Sequence, residues 1–347
     1  MELRAYIIRR LLLLIPVLVG VTLLVFAITQ LFSPVERASL YATSAKQVEN
    51  VSGLIAKYGL DKPFYVQYWT WINQIARGNF GWSKAVSMSV KDAFLQFLPA
   101  TVELALFSAP LIILMGILLG RAAAAHKDRP IDHFSRLLAI IGWSLPTFWL
   151  GLILLMIFYG YFKGLLPAER LSAQVNLYVH SPQFINYTHL NTIDAILNWN
   201  GRVLLDALRH LVLPVITLTV VQMAFVMRIM RSSMLESLGK GYIIAARAKG
   251  LSEKVVISKH AQRNALIPVL TITGYIFAGL MNGVVITETV FNYKGIGWWF
   301  WQSAFHLDIP GVLGFVLFNG VLFVLTNLVV DLLYAWVDPR VRLGARI

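Results

Sequence analysis

The sequence predicts an all-α polytopic membrane protein with six transmembrane helices, and three observations lead to this prediction. The 347-residue chain is 58% hydrophobic and only 14% charged, whereas about one quarter of a soluble domain is charged. Apolar runs recur along the chain at close to the roughly 20 residues that a helix needs to cross a bilayer. No run alternates polar and apolar residues as a strand of a membrane barrel does. The excess of apolar residues, with a mean hydropathy of +0.68, is therefore expected to face lipid.

The apolar runs predict a single membrane domain over residues 1–347. The six predicted spans are about 11–32, 102–122, 137–162, 211–230, 265–287 and 311–335. Arg9 and Arg10 precede the first span as in a signal peptide, but its length and the lack of a small-residue cleavage pattern before Ser33 predict a retained helix. Prolines inside or at the start of spans, among them Pro146 and Pro268, predict kinks.

The basic residues predict the orientation of the chain. Eighteen of its 30 Lys and Arg lie in the N-terminus, the second loop, the loop at 231–264 with its approaches, and the C-terminus, where Arg340, Arg342 and Arg346 stand. The positive-inside rule then places both termini in the cytoplasm and the loops at 33–99 and 163–210 outside. This placement explains the net charge of +13 better than nucleic-acid binding does.

The outer loops carry aromatic residues at helical spacing. Phe64, Tyr68, Trp71 and Ile75 predict an amphipathic helix that ends at Gly78. An interfacial helix with its Trp residues at headgroup level is favoured over direct contact with a substrate. Gly295 and Gly297 predict a tight turn beside a Trp cluster.

Residues that carry chemistry are scarce. The chain has no Cys and no glycine-rich phosphate loop, and its seven His residues are dispersed. Glu103, Glu288 and Asp331 lie towards the ends of spans, where pairing with interface cations or helix capping accounts for them, and no ionisable group marks a midplane ion site. These patterns disfavour an enzyme and a proton- or ion-coupled transporter, and they predict a conduit driven by another protein, with no cofactor or metal of its own. The weak candidates for residues that line the pathway are Gln222 and Asn282.

One polar segment, AARAKGLSEKVVISKHAQRNALIP at residues 245–268, lies between two apolar runs. A short helix from Tyr242 to Lys249 is expected to close at Gly250 in the left-handed conformation, with Leu251 folding back. Ser252 would cap a second helix, and Glu253 suits its first turn. The pattern leaves two roles open for this helix–hinge–helix unit: a rigid handle for another protein, or a helix that rests on anionic headgroups.

The same segment resembles the EAA loop of the membrane subunits of binding-protein-dependent ABC importers, and more narrowly of the dipeptide/oligopeptide permease family. YIIRRLLLLIPVLVGVTLLVF, LPATVELAL, SLPTFWLGLILL, ETVFNYKGIGWW and NLVVDLLYAWVDPRVR extend the resemblance over nearly the whole chain. Two departures stand out. Ile244 replaces the Glu that names the loop, and Phe32-Ser33-Pro34-Val35 replaces a Pro-Gly-Asp-Pro turn.

The resemblance implies a type I ABC importer permease in the cell membrane. It implies a second homologous permease subunit, two ABC ATPase subunits that hold ATP and Mg, and an extracellular substrate-binding protein. The loop at 231–264 would contain the coupling helices, with Gly250 as hinge, Leu251 and Val255 entering an ATPase groove, and Arg247 and Lys249 meeting its acidic rim. The implied coupling residues are Ala245, Ala246, Arg247, Lys249, Gly250, Leu251, Ser252, Glu253, Val255, Val256, Lys259 and His260.

Peptides are the substrate that the resemblance favours, with oligosaccharides and metal chelates as alternatives, because fold and family do not fix the ligand. A stand-alone secondary transporter or channel is the alternative from a different class. It would need no ATPase.

Overall fold

The computed structural model describes residues 3–337, and within that range the all-α prediction is confirmed. Arg340, Arg342 and Arg346, on which the predicted orientation partly depends, lie outside the described residues, as does the side chain of Asp331. The N-terminal third contains the elements α1 (Leu3–Thr29), α2 (Pro34–Ala38), α3 (Ala45–Glu49), α4 (Val51–Tyr58), α5 (Phe64–Ala76), the short strands β1 (Trp82–Ser83) and β2 (Met88–Ser89), and α6 (Val90–Ala125).

The rest of the chain begins with a bent pair of helices and continues through two further long helices. Its elements are α7 (Pro130–Ser144), α8 (Thr147–Leu154, continued by a π-helical stretch Leu155–Tyr161), α9 (Ala173–Val179), α10 (Asn191–Leu197), α11 (Gly201–Leu238), α12 (Gly241–Ala248), α13 (Glu253–Val255), α14 (Gln262–Met281), α15 (Val285–Val290), α16 (Ile296–Phe305) and α17 (Ile309–Val337). A second π-helical stretch, Val256–Ala261, joins α13 to α14.

Among the described residues, five helical runs are long and apolar enough to cross a membrane: α1, α6, α11, the run Glu253–Met281 and α17. The bent pair α7–α8 brings the number to six if it counts as one span. Several of these helices extend past the predicted spans, and α11 includes residues 231–238 of the predicted cytoplasmic loop. The position at which a bilayer boundary crosses each helix stays a prediction.

The third predicted span, 137–162, is not one straight helix. It breaks at Leu145 and Pro146, and the two halves meet at 98°. Pro146 offers no backbone N–H, and its ring pushes the preceding residue out of the helical region. Leu145 accordingly has a ψ of 122°. Pro146 therefore does more than kink the span.

The centre of the bundle is the contact between α6 and α11. Small residues let the two backbones approach, as is common between membrane helices. A Cβ atom on Gly116 would lie 2.5 Å from the Cβ of Val226, and one on Gly120 would lie 2.6 Å from the carbonyl oxygen of Met227. The helices α7 and α14 also pack on α11, which makes α11 the axis of the fold.

The loop at 33–99, which is predicted to lie outside, folds into a layer of its own against the ends of α1 and α17. The amphipathic helix predicted from Phe64 is confirmed as α5, with Trp71 buried and Trp69 and Tyr65 exposed. At the departure from the Pro-Gly-Asp-Pro turn, Ser33 caps α2. Its hydroxyl accepts a hydrogen bond from the backbone N–H of Glu36, and its own N–H donates to the Glu36 carboxylate. Glu36, in the first turn of α2, thus stabilises the start of this helix.

Candidate functional site: the Gly250 hinge and the Glu103 polar cluster

The hinge at Gly250 forms as the sequence predicts. Gly250 has a φ of +76°, the left-handed conformation. The N–H of Leu251 donates to the carbonyl of Ala246 at 3.3 Å, and the N–H of Gly250 donates to Arg247 at 2.9 Å. These two bonds are the Schellman pattern, which ends a helix and reverses the chain direction. The unit therefore has a fixed turn, which a slack linker would lack.

The second half of the hinge is a continuous helical run into the fifth span. Ser252 stands at the N-cap position, but its hydroxyl makes no cap hydrogen bond. Its backbone carbonyl instead accepts from Val255 and Val256. The predicted helix from Glu253 forms and continues into the fifth span, because the π-helical stretch passes directly into α14. A displacement of the hinge would therefore be transmitted along an uninterrupted helix.

Two inward-facing side chains anchor the hinge unit to the core. Ile243 and Val256 are fully buried and belong to the central apolar cluster, with Ala246 beside them. Ala246 and Val256 are two of the coupling residues that the resemblance implies, and the structure places both in the interior. They fix the unit on the bundle, and they do not offer a face to another protein.

The outward face of the hinge unit is apolar at its centre. Leu251 is 40% exposed and Ile244 is 64% exposed, with Tyr242 and Ala245 also exposed. Val255 is half-buried. Ile244 was not predicted as a contact residue, although successive residues of a helix are rotated by about 100°, so that a residue next to the buried Ile243 can reach the surface. Lys249 and Lys259 are exposed on the same unit, and His260 is half-buried.

Arg247 and Glu253 form an ion pair across the hinge. The Nη2 atom of Arg247 donates to a Glu253 carboxylate oxygen at 2.6 Å, and its Nε donates to the other oxygen at 3.2 Å. Hydrogen bonding to Glu253 raises the pKa of the Arg247 guanidinium. Arg247 therefore has an acidic partner within the chain, and its predicted contact with the acidic rim of an ATPase stays a prediction. The bridge braces the two arms on either side of Gly250.

A buried polar cluster surrounds Glu103 on α6, away from the hinge unit. The carboxylate of Glu103, which is 1% exposed, accepts hydrogen bonds from Arg170 at 2.9–3.0 Å, from the Tyr293 hydroxyl at 3.0 Å, and from the backbone and hydroxyl of Thr192. Three separate segments of the chain therefore converge on one carboxylate. The predicted pairing of Glu103 with a cation is confirmed, and the cation comes from the irregular loop at 163–210.

Glu288 serves as a cap at a second buried position nearby. One carboxylate oxygen accepts from the hydroxyl of Thr101 at 2.8 Å, and the other accepts from the backbone N–H of Trp298 in the first turn of α16 at 2.9 Å. Thr101 in turn accepts from the N–H of Ile296. Helix capping was one of the two roles that the sequence predicted for this carboxylate, and the structure confirms it.

The two weak candidates for the pathway are not brought together by any hydrogen bond within residues 3–337. Gln222 is half-buried on α11, and Asn282 stands at the end of α14, where its backbone N–H donates to Ala278. The Asn282 Oδ1 atom is buried and has no hydrogen-bond partner among the described residues. A pathway role for either residue stays a prediction.

The number and length of the apolar helices indicate a multi-pass membrane protein. Comparison with known sequences gives the family. Residues 112–343 match the binding-protein-dependent transport system inner membrane component, and residues 3–105 match the N-terminal region of such membrane components. The chain belongs to this family, as the resemblance of its motifs predicted.

Several peptide permeases are similar to this chain over almost its whole length. A probable D,D-dipeptide transport system permease protein of Escherichia coli (strain K12) is 39% identical over 331 residues, which are 95% of each chain. A di/tripeptide transport system permease protein of Pseudomonas aeruginosa (strain UCBPP-PA14) is 39% identical over 97% of this chain and 98% of its own. An oligopeptide transport system permease protein of Bacillus subtilis (strain 168) is 35% identical over 97% and 99%. The chain is thus the multi-pass membrane component of a binding-protein-dependent transport system.

Proposed function

We propose that this chain forms half of the translocation pathway of a peptide importer, in which two ABC ATPases drive a pair of homologous permease subunits. An extracellular binding protein delivers the peptide to the outer loops. The names of the similar permeases support peptides as cargo, since each of those proteins is named for dipeptide, di/tripeptide or oligopeptide transport. Oligosaccharides and metal chelates are the competing cargoes.

The observation that carries the proposal is the hinge unit. Its outer face presents Leu251 and Ile244, and its inner face is locked to the core by Ile243 and Val256. An ATPase groove that grips the exposed pair would move Gly250 and, through the continuous run Glu253–Met281, the fifth span. ATP binds at the interface of the ATPases, so this chain needs no nucleotide site. Because Ile244 replaces an acid, the receiving groove would be apolar at that point.

The orientation belongs to the same proposal. The hinge unit, with exposed Lys249 and Lys254, would face the cytoplasm with both termini. Lys84 and the layer of α2–α5 would face outside. Glu103 with Arg170 and Tyr293 would then hold the outer ends of the pathway together beneath the binding protein.

The absence of cysteine from all 347 residues gives a direct test. Single variants Ile244→Cys and Leu251→Cys should crosslink to the ATPase subunit in membranes. Leu307→Cys, which is exposed in the turn between α16 and α17, should not. A membrane-impermeant maleimide should label Lys84→Cys in intact cells and Lys249→Cys only after lysis. Crosslinking from Leu307→Cys alone, or labelling of Lys249→Cys in intact cells, would overturn the arrangement.

The cargo requires a separate test. Expression of the complete transport operon in a lysine auxotroph that lacks its own peptide permeases should allow growth on Lys-containing dipeptides. Competition by oligosaccharides or by ferric chelates, with no competition by unlabelled peptides, would assign the alternative cargo and leave the coupling proposal intact.

A further inference from the structure

A second functional surface lies between α7 and α11, away from the hinge and the Glu103 polar cluster. A cavity of about 310 Å³ opens there, next to the end of α6. Its walls include Ala139, Ile140 and Met227, and its rim carries Arg136, Arg228 and Arg231. We call this cavity the arginine groove. An apolar trough with three guanidinium groups at its mouth has no part in the coupling described above.

Within the described residues, Asp132 is the one carboxylate that contacts the arginines of the groove, and it already forms an ion pair with Arg231. Asp132 is fully buried and accepts from Arg231 through both oxygens, at 2.7 and 2.8 Å. The backbone N–H of Asp128 donates a further hydrogen bond to the Asp132 carboxylate at 3.0 Å. Arg136 lies 3.8 Å from the same carboxylate, with 44% of its side chain exposed. The mouth of the groove therefore keeps an excess of positive charge.

Arg228 is held in place without an acid. Its guanidinium carbon lies 4.6 Å from the ring centre of Trp143 and 5.9 Å from that of Phe225. Within residues 3–337 its side chain makes no hydrogen bond and no ion pair. Stacking on an aromatic face fixes the plane of a guanidinium and leaves its N–H groups free to bind a planar or tetrahedral anion. The Arg228 guanidinium is thus held in a fixed orientation, and no acidic side chain among the described residues balances its positive charge.

We propose that the arginine groove binds the headgroup of an anionic phospholipid of the inner leaflet. Phosphate oxygens accept hydrogen bonds from Arg228 and Arg136, the bidentate recognition to which guanidinium groups are suited. An acyl chain lies along the exposed apolar face of α7 at Leu137 and Ile140. The proposal rests on the cytoplasmic orientation proposed above, since basic pockets between helices on that side suit anionic headgroups.

The depth and surroundings of the groove favour lipid over a protein partner. Arg231 lies seven residues before the end of α11 at Leu238, which corresponds to roughly 10 Å along the helix. The adjoining face of α7 is apolar and open, with Phe134 64%, Leu137 55% and Ile140 62% exposed. Two arginines, Arg136 and Arg228, beside an exposed apolar face are expected where lipid headgroups meet acyl chains. A protein interface at this position would need to bury Arg136 and Arg228 against acids of its own.

The test compares two double variants with the same change of charge on the same side of the bundle. Arg136→Gln with Arg228→Gln removes the two exposed guanidinium groups of the groove, and Lys127→Gln with Arg129→Gln removes two exposed charges from the adjoining loop. The detergent-solubilised transporter complex is titrated with phosphatidylglycerol, and bound lipid is counted by native mass spectrometry. The groove variant should bind roughly 30-fold more weakly, at about fivefold per arginine, and the loop variant should stay within about threefold of the wild type.

Two further arms identify the source of the bound phosphate. Inorganic phosphate at millimolar concentration should not displace phosphatidylglycerol, because the acyl chain contributes to binding. A photoreactive side chain in place of Ile140 should capture lipid. Equal losses in both double variants, displacement by inorganic phosphate, or capture of a protein subunit at Ile140 would each overturn the proposal. Co-purification of the ATPases, measured in the same preparations, separates this result from a failure of the coupling proposal.

Discussion

Substitution of Gly250 is the prediction that the structure defines most sharply. The φ of +76° places this residue in a region that L-amino acids enter at a cost of roughly 1–2 kcal/mol. No atom lies within 4 Å of the position that a Cβ would occupy, apart from the chain neighbours. A side chain at residue 250 therefore meets no steric obstacle, and the whole cost comes from the backbone conformation.

Gly250→Val should abolish uptake while the protein still inserts into the membrane. For a β-branched residue, the cost of the left-handed conformation is near the upper value of about 2 kcal/mol. A cost of that size lowers the population of the native turn roughly 30-fold. The turn directs Leu251 outward, so its loss removes the face on which coupling depends. Folding should persist, because Ile243 and Val256 anchor the two arms independently of the turn.

Gly250→Asn is the matched control, since Asn adopts the left-handed conformation more readily than other side chains do. Its uptake should stay close to that of the wild type, with Gly250→Ala between Asn and Val. The assay is uptake of a radiolabelled dipeptide in cells that lack other peptide permeases, normalised to permease in the membrane. Equal uptake by the Val and Asn variants would refute the role of the backbone conformation at Gly250.

Three further predictions concern the brace, the Glu103 polar cluster and the central packing. Arg247→Glu should lower uptake severalfold, and the added Glu253→Arg should restore it because the ion pair re-forms with reversed polarity; failure of the double variant would assign Arg247 to a partner. Glu103→Gln should destabilise the protein by about 3 kcal/mol, since it leaves a largely buried arginine without its counter-charge, and thermal unfolding in detergent should show the drop. Gly120→Ala should cost about 1–3 kcal/mol by overpacking against α11, whereas Gly20→Ala, which meets no atom within 4 Å, should leave the thermal midpoint unchanged.

The local signals of the sequence were the most dependable. Gly250 at the end of an Ala-rich basic stretch predicted a left-handed helix stop, and the Schellman bonds confirm it. Aromatic residues at helical spacing predicted α5, whose observed bounds begin at Phe64. In both cases the conformation is decided within a few residues of the chain.

Contacts between distant segments could not be predicted in the same way. Arg170 lies 67 residues from Glu103 in a loop without periodicity, and no local pattern pairs the two. Arg247 and Glu253 are six residues apart on opposite sides of a turn, so the helical i to i+4 spacing does not apply to them. The 98° break at Pro146 depends on how α8 packs against α11 and α15, whereas proline alone predicts only a kink.

Co-purification from native membranes tests the central proposal most directly. The permease would be isolated in mild detergent after crosslinking at Lys249 or Lys254, which are exposed on the hinge unit, and the captured subunits identified by mass spectrometry. We expect a second six-span permease and one or two ATPases with phosphate-binding loops. Recovery of the chain alone, as a monomer or homo-oligomer without any ATPase, would contradict the coupling proposal and favour a self-contained channel or secondary transporter.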